Sequence, residues 1–85
     1  MLILIVAGGP DKGRIYELHE DQPVILGREG EPIKLNDRKC SRKHAKVWAE
    51  GGKWYVRDLN SRHGTHVNAT QVENRHELAD GDHIQ

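Results

Sequence analysis

Two adjacent glycines, Gly51-Gly52, stand between two runs of alternating character, Ala45 to Glu50 and Lys53 to Asp58. A two-residue connection between alternating runs fits a β-hairpin whose central residues both take positive φ, a conformation that glycine adopts without steric cost. The pair commits the middle of the chain to antiparallel strands. A helix can be drawn through part of the same stretch, with Ser41 as N-cap and Ala45, Trp48 and Ala49 at helical spacing. It would be short and poorly joined to the run beyond Gly52, so the hairpin is the preferred reading.

The remaining segments have the same grain. Leu2 to Val6 is a short apolar block ended by Gly8-Gly9-Pro10, Arg14 to Leu18 mixes β-formers with charges, and Pro23 to Leu26 is closed by Gly27. Ile33-Lys34-Leu35 alternates briefly. Asn36 to Lys43 and Leu59 to Thr65 carry no hydrophobic period and predict exposed loops. Thr65 to Val67 and Gln71 to Glu73 are expected as short strands around a turn at Asn68 to Thr70, with a further turn at Asp80-Gly81 before His83-Ile84-Gln85. Closely spaced strands and frequent turn residues predict an all-β chain, a two-sheet β-sandwich of short, mostly antiparallel strands. Trp48, Trp54 and Val56 are expected in or against its core. At 85 residues the chain bounds one small domain, spanning residues 1–85.

Thirteen acidic residues balance thirteen Lys and Arg, so no global field draws the chain to nucleic acid or anionic lipid. Any anion site must be local. Arg38, Lys39, Arg42, Lys43 and Lys46 surround Ser41, while acids dominate Glu17 to Asp21 and Glu29 to Glu31. Cys40 is the single cysteine, which excludes an intrachain disulfide and a Cys-based zinc site and fits a cytoplasmic compartment. The apolar run Leu2 to Ala7 is too short for a signal core or a membrane helix.

Three chemical constellations fail on inspection. Gly8 and Gly13 have phosphate-loop spacing, but Arg14 and Ile15 replace the required lysine and hydroxyl, and a strand stands where a helix should begin. Ser41, His44 and Asp58 supply the residue types of a nucleophilic trio, yet no G-x-S-x-G elbow surrounds the serine. His44 reads instead as a structural histidine bonded to the backbone of a neighbouring loop. His63 and His66 are spaced to point to opposite faces of a strand, and no metal site is expected there.

A fourth constellation is specific. Gly27-Arg28, then Ser41-Arg42-Lys43-His44-Ala45, then Asp58-Leu59-Asn60-Ser61-Arg62-His63-Gly64-Thr65-His66-Val67-Asn68 have the order and spacing of the pattern G-R, S-x-x-H, D-L-x-S-x-N-G-T-x-x-N. This resembles the forkhead-associated (FHA) domain family, as do the leading strands and the closing Leu78 to Ile84. The resemblance spans nearly the whole chain. It implies an FHA/SMAD-like sandwich that recognises phosphothreonine in a partner protein, without cofactor or catalysis.

By that resemblance Arg28 and Ser41 contact the phosphate, with Arg42 adding charge and its backbone amide, while Gly27, His44, Asp58, Gly64 and Thr65 brace the loops. Their chemistry suits the task, since a guanidinium is a rigid fork of donors and a hydroxyl gives one short bond to an ionised acceptor. Gly64 has its own reason to be glycine, a sharp loop-to-strand turn calling for positive φ.

Two positions depart from the pattern. His63 stands where the family has an asparagine that contacts the peptide backbone, and Ala69 follows Asn68 where glycine is usual. An imidazole cannot donate and accept as one planar amide does, so peptide selectivity is expected to shift and to depend on pH. Arg62 can add a phosphate or acidic-residue contact, and Asn68 remains to hold the peptide chain. The sequence stops at Gln85, just inside the strand after Asp82 and one strand short of the family pattern. A fragment of a longer protein is expected, the alternative being an exposed edge covered by another chain. The competing function is a phosphate-independent interaction or oligomerisation domain on the same fold.

Overall fold

The computed structural model describes residues 2–6, 10–79, 81–82 and 84, and every regular element among them is a strand. In chain order these are β1 (Leu2–Ile5), β2 (Ile15–Leu18), β3 (Val24–Gly27), β4 (Pro32–Lys34), β5 (Ala45–Glu50), β6 (Lys53–Asp58), β7 (His66–Val67), β8 (Thr70–Gln71) and β9 (Arg75–Leu78). A five-stranded sheet runs β4-β3-β5-β6-β9, and β1-β2 and β7-β8 form two smaller ladders. Gly51 and Gly52 have φ of 59° and 78°, the two positive values that a tight hairpin matching the strand twist demands. The residues from Ala45 onward are extended, so the competing helix does not form.

Alternation along the central strands puts Ala45, Val47 and Val56 on the face that also carries Val24, Leu26 and Ile33. These meet Leu18 of β2, Val67 of β7 and the neighbouring Val72 in one buried cluster, so the two small ladders supply the second layer of the sandwich. Each fully buried branched side chain contributes roughly 1.5–3 kcal/mol. Val56 is fully buried and Trp54 packs partly buried against the cluster, as expected.

Trp48 does not belong to the core. It pairs with Tyr55 one residue out of phase with Val47, and a period of two places it on the outer face. There its ring lies 5.8 Å from that of Tyr55, with the Lys46 ammonium 5.6 Å from its centroid.

β9 has no counterpart among the strands expected from the sequence. Arg75 and Glu77 face out while His76 and Leu78 are half-buried, so the segment has too little apolar content to announce a strand. Pairing with β6 defines it, helped by outward ion pairs from Arg75 to Glu50 at 2.7 Å and from Lys53 to Glu77 at 3.1 Å. The expected strand at Gln71 to Glu73 instead ends at Gln71, and Val72 extends the register by one bond, its amide donating to the Thr65 carbonyl at 2.8 Å. The Gly8-Gly9 turn and the closing residues Asp80, His83 and Gln85 lie outside the described residues. Ile84 bridges Val67 antiparallel.

One pairing breaks the antiparallel rule. β3 and β4 run parallel with only residues 28–31 between them, whereas parallel neighbours ordinarily need a connection of about a dozen residues. Glycine at Gly30 within the coil and at Gly27, the last residue of β3, allows the backbone to approach this closely. A Cβ at Gly30 would stand 2.2 Å from the Ile33 carbonyl oxygen, and one at Gly27 would stand 2.2 Å from that of Arg42. This coil presents Arg28.

A second fastening is invisible in the sequence pattern. Asp11, nearly fully buried beyond β1, accepts the Asn36 amide at 2.6 Å and its side-chain Nδ2 at 2.9 Å. It ties the first hairpin to the base of the long loop after β4.

Candidate functional site

Three loops meet at one end of the five-stranded sheet. The Arg28 amide donates to the Ser41 carbonyl at 3.1 Å and the Glu29 amide to that of Arg42 at 2.9 Å, clamping the β3-β4 coil to the loop that enters β5. The Arg28 guanidinium uses its Nε to bond the Cys40 carbonyl at 2.9 Å. One edge of the fork is thereby fixed, and both terminal amino groups remain for another acceptor.

Ser41 is held in a complementary way. Its Oγ accepts the Arg62 amide at 2.9 Å, so the hydroxyl proton remains free to donate elsewhere. His44 Nδ1 accepts the Ser41 amide at 3.1 Å, and its Nε2 bonds the Gly64 carbonyl at 2.9 Å. An amide can only donate and a carbonyl only accept, so the ring is neutral with its proton on Nε2. This is the structural histidine the sequence predicted. With both ring nitrogens committed to backbone, His44 is no base for the Ser41 hydroxyl, and the nucleophilic trio is not assembled.

Asp58 organises the third loop. Its carboxylate accepts the Ser61 amide at 3.1 Å, the buried Thr65 hydroxyl at 2.7 Å and the Ser61 hydroxyl. Burial raises its pKa, but the hydrogen bonds from Ser61 and Thr65 outweigh that and hold it below the ordinary 3.8. Asp11 is also held below 3.8, chiefly by the two Asn36 bonds. A lowered carboxylate pKa adds stability that is present above the ordinary value and lost as pH falls through the folded one. Acid unfolding is therefore expected below pH about 4, and Asp58→Asn is expected to flatten that acid limb while lowering stability at neutral pH. Circular dichroism against pH measures both; an unchanged acid limb would contradict the assignment.

The loops enclose an open cleft of about 320 Å³. Its walls carry Arg28, Ser41, Arg42 and Arg62, and also Arg38, Lys39 and Cys40, with no carboxylate among them. Arg42 Nε lies 3.3 Å from Glu29. Burial, followed by Asp37, raises the Cys40 thiol against the opposing pull of Arg28, keeping that wall neutral. A larger depression near Gln22, Pro23, Glu31 and Pro32 has one acid and no cation.

The structure thus brings four predicted contact residues, Arg28, Ser41, Arg42 and Arg62, to one cleft, with Gly27, His44, Asp58, Gly64 and Thr65 bracing the surrounding loops. Gly64 has the positive φ expected, 80°. His63 and Asn68 do not line that cleft. His63 is exposed beside Arg62, and Asn68 sits in the β7-β8 turn with φ 58° and its Nδ2 2.9 Å from Asp82. Ala69 takes φ 128°, a conformation that suits glycine far better than alanine. Arg38 and Lys39 were visible only as members of a basic run, because no spacing rule says which cations of a loop turn toward a shared cleft.

Comparison with known proteins gives a consistent result. A sequence model of the FHA domain matches residues 24–85. The glycogen accumulation regulator GarA of Mycolicibacterium smegmatis is 40% identical over 85 residues, a match covering 98% of this chain and 52% of GarA. The chain thus spans about half the length of that relative. A solved FHA domain studied for phosphothreonine-dependent interactions superposes with a TM-score of 0.82 at 38% identity, over 98% of this chain and 83% of the other. An FHA domain from Arabidopsis thaliana gives a TM-score of 0.90 at 30% identity, over 98% and 74%. The three ordered blocks, the sandwich and these matches agree: this chain belongs to the FHA domain family.

Proposed function

We propose that this chain is a phosphothreonine-dependent interaction module that docks partners already phosphorylated by a Ser/Thr kinase. The observation that carries the reading is the pairing of Arg28 and Ser41 at one cation-lined cleft, each fixed to backbone on one side and left with free donors on the other. A phosphate monoester carries about two negative charges and three acceptor oxygens, which match a guanidinium fork plus a hydroxyl. The phosphothreonine-dependence of the similar solved domain supports the choice of ligand. His63 and Asn68 would meet the peptide outside the cleft itself. No catalytic step and no cofactor enter this reading, and a cytoplasmic setting accords with the single cysteine.

Isothermal titration with phosphothreonine, phosphoserine and unmodified forms of one peptide tests it. The phosphothreonine form is expected to bind, the phosphoserine form more weakly, and the unmodified form not at all. Equal binding of all three would instead favour phosphate-independent association. One observation speaks for that second reading: Ile3, Ile5 and Ile15 are 54%, 62% and 63% exposed, with Ile5 paired to Ile15 across the β1-β2 ladder.

A further inference from the structure

The outer face of the five-stranded sheet carries a second ordered arrangement, and none of its residues lines the cleft. A period of two turns Lys46 and Trp48 of β5, Tyr55 and Arg57 of β6, and Arg75 of β9 away from the buried cluster. Register then sorts them into two rows that cross the strands. Lys46 pairs with Arg57 and Arg57 with Arg75, so three cations stand side by side on neighbouring strands. Two residues further along, Trp48 pairs with Tyr55, their ring centroids 5.8 Å apart and their planes 31° from parallel.

Like charges directly opposite one another on a sheet are destabilising, and an anion lying along the row relieves the repulsion. Within the fold that relief is partial. Among the described residues only Arg75 of the three has a carboxylate partner, Glu50 at 2.7 Å. The Arg75 guanidinium also lies 4.7 Å from the Tyr55 centroid, and the Lys46 ammonium 5.6 Å from that of Trp48. Arg57 is exposed and its side chain has no partner among the described residues.

A strand rises about 3.4 Å per residue and its neighbour lies about 4.8 Å away, so the cation row and the aromatic row run parallel about 7 Å apart. A single-stranded nucleic acid has the same plan, a line of phosphates with planar bases beside it that stack on aromatic rings and guanidinium planes. An acidic peptide offers the charge but no planar base for the two rings. Zero formal net charge is no obstacle, because the row sets a local field.

We infer that this face binds single-stranded nucleic acid, its phosphates crossing the strands along Lys46, Arg57 and Arg75 and its bases stacking on Trp48 and Tyr55. This activity is separate from phosphothreonine recognition and does not depend on it.

The test is fluorescence anisotropy with a labelled oligouridylate of about twelve nucleotides. Saturable binding is expected, with the logarithm of the association constant falling against that of the salt concentration at a slope of about −2, as for three phosphate contacts on a single strand. Trp48→Leu and Tyr55→Leu are each expected to weaken binding about tenfold, since leucine keeps the strand apolar but has no ring to stack on. Arg57→Gln is expected to make the slope shallower by about 0.7. With no partner to lose, that variant keeps its fold and its affinity for a phosphothreonine peptide, so the test stands even where an aromatic variant unfolds by circular dichroism. Arg28→Ala is expected to bind the oligonucleotide as wild type does. No saturable binding, binding abolished by Arg28→Ala, or a slope that Arg57→Gln leaves unchanged overturns the inference. An oligoglutamate peptide that competes as well as unlabelled oligouridylate would assign the face to an acidic protein partner and overturn it as well.

Discussion

Arg28→Ala is expected to weaken binding of a phosphothreonine peptide by about a hundredfold or more while the domain stays folded. The guanidinium has two terminal amino groups free and its Nε held by the Cys40 carbonyl, so it meets a phosphate as a fork already oriented. Two charge-assisted bonds at roughly 1.5–3 kcal/mol each give about 3–4 kcal/mol after partial water compensation, and 2.8 kcal/mol is about a hundredfold. The folded state loses only one exposed bond to a carbonyl, worth about 1 kcal/mol. Arg28→Lys is expected to recover part of the affinity, since a point charge keeps the attraction but not the fork. Titration calorimetry paired with thermal unfolding separates the two effects. Retained affinity in Arg28→Ala would contradict the assignment of this residue.

The second large effect is expected at Gly27, where alanine should cost more than about 3 kcal/mol, a large share of the 5–15 kcal/mol that holds a small domain together. Its Cβ would stand 2.2 Å from the Arg42 carbonyl oxygen and 2.8 Å from that of Ser41. Both are backbone atoms, so no side-chain rotation relieves the clash. The loop must instead lift from β3, breaking the bonds from the Arg28 and Glu29 amides that form the cleft floor. Stability and peptide affinity should therefore fall together. Gly52→Ala is the control: a Cβ there meets nothing within 4 Å, and only its φ of 78° is strained, at a cost of about 1 kcal/mol. Urea unfolding of both variants checks the contrast, and equal costs would show that backbone conformation rather than close approach governs Gly27.

These two residues also show how far sequence reasoning reaches. Gly51-Gly52 announced the central hairpin because a two-residue turn has a conformational requirement that composition reveals. Gly27 was legible only through its place in a block pattern; the clash that demands it comes from Arg42, which is distant in sequence and arrives by tertiary folding. Trp48 was misplaced because size suggests burial, whereas strand phase sent it outward beside Tyr55. β9 was silent because its inward residues are a histidine and one leucine, and its position depends on pairing with β6. The parallel β3-β4 coil has no periodic signature at all. At the cleft, the block pattern pointed to Arg28, Ser41 and Arg42, and the departure at His63 to its neighbour Arg62, but neither pointed to Arg38 and Lys39, whose backbone is set by the turn at Asp37. The Asp11-Asn36 fastening joins residues 25 apart and left no local mark.

The most direct test of the central claim is a crystal structure of this chain with a singly phosphorylated threonine peptide bound. The phosphate oxygens are expected within hydrogen-bonding distance of the terminal nitrogens of Arg28 and of Ser41 Oγ, with the Arg28-Cys40 and Ser41-Arg62 bonds intact. A phosphate seated away from both residues, or a peptide held with its phosphate in open solvent, would contradict it.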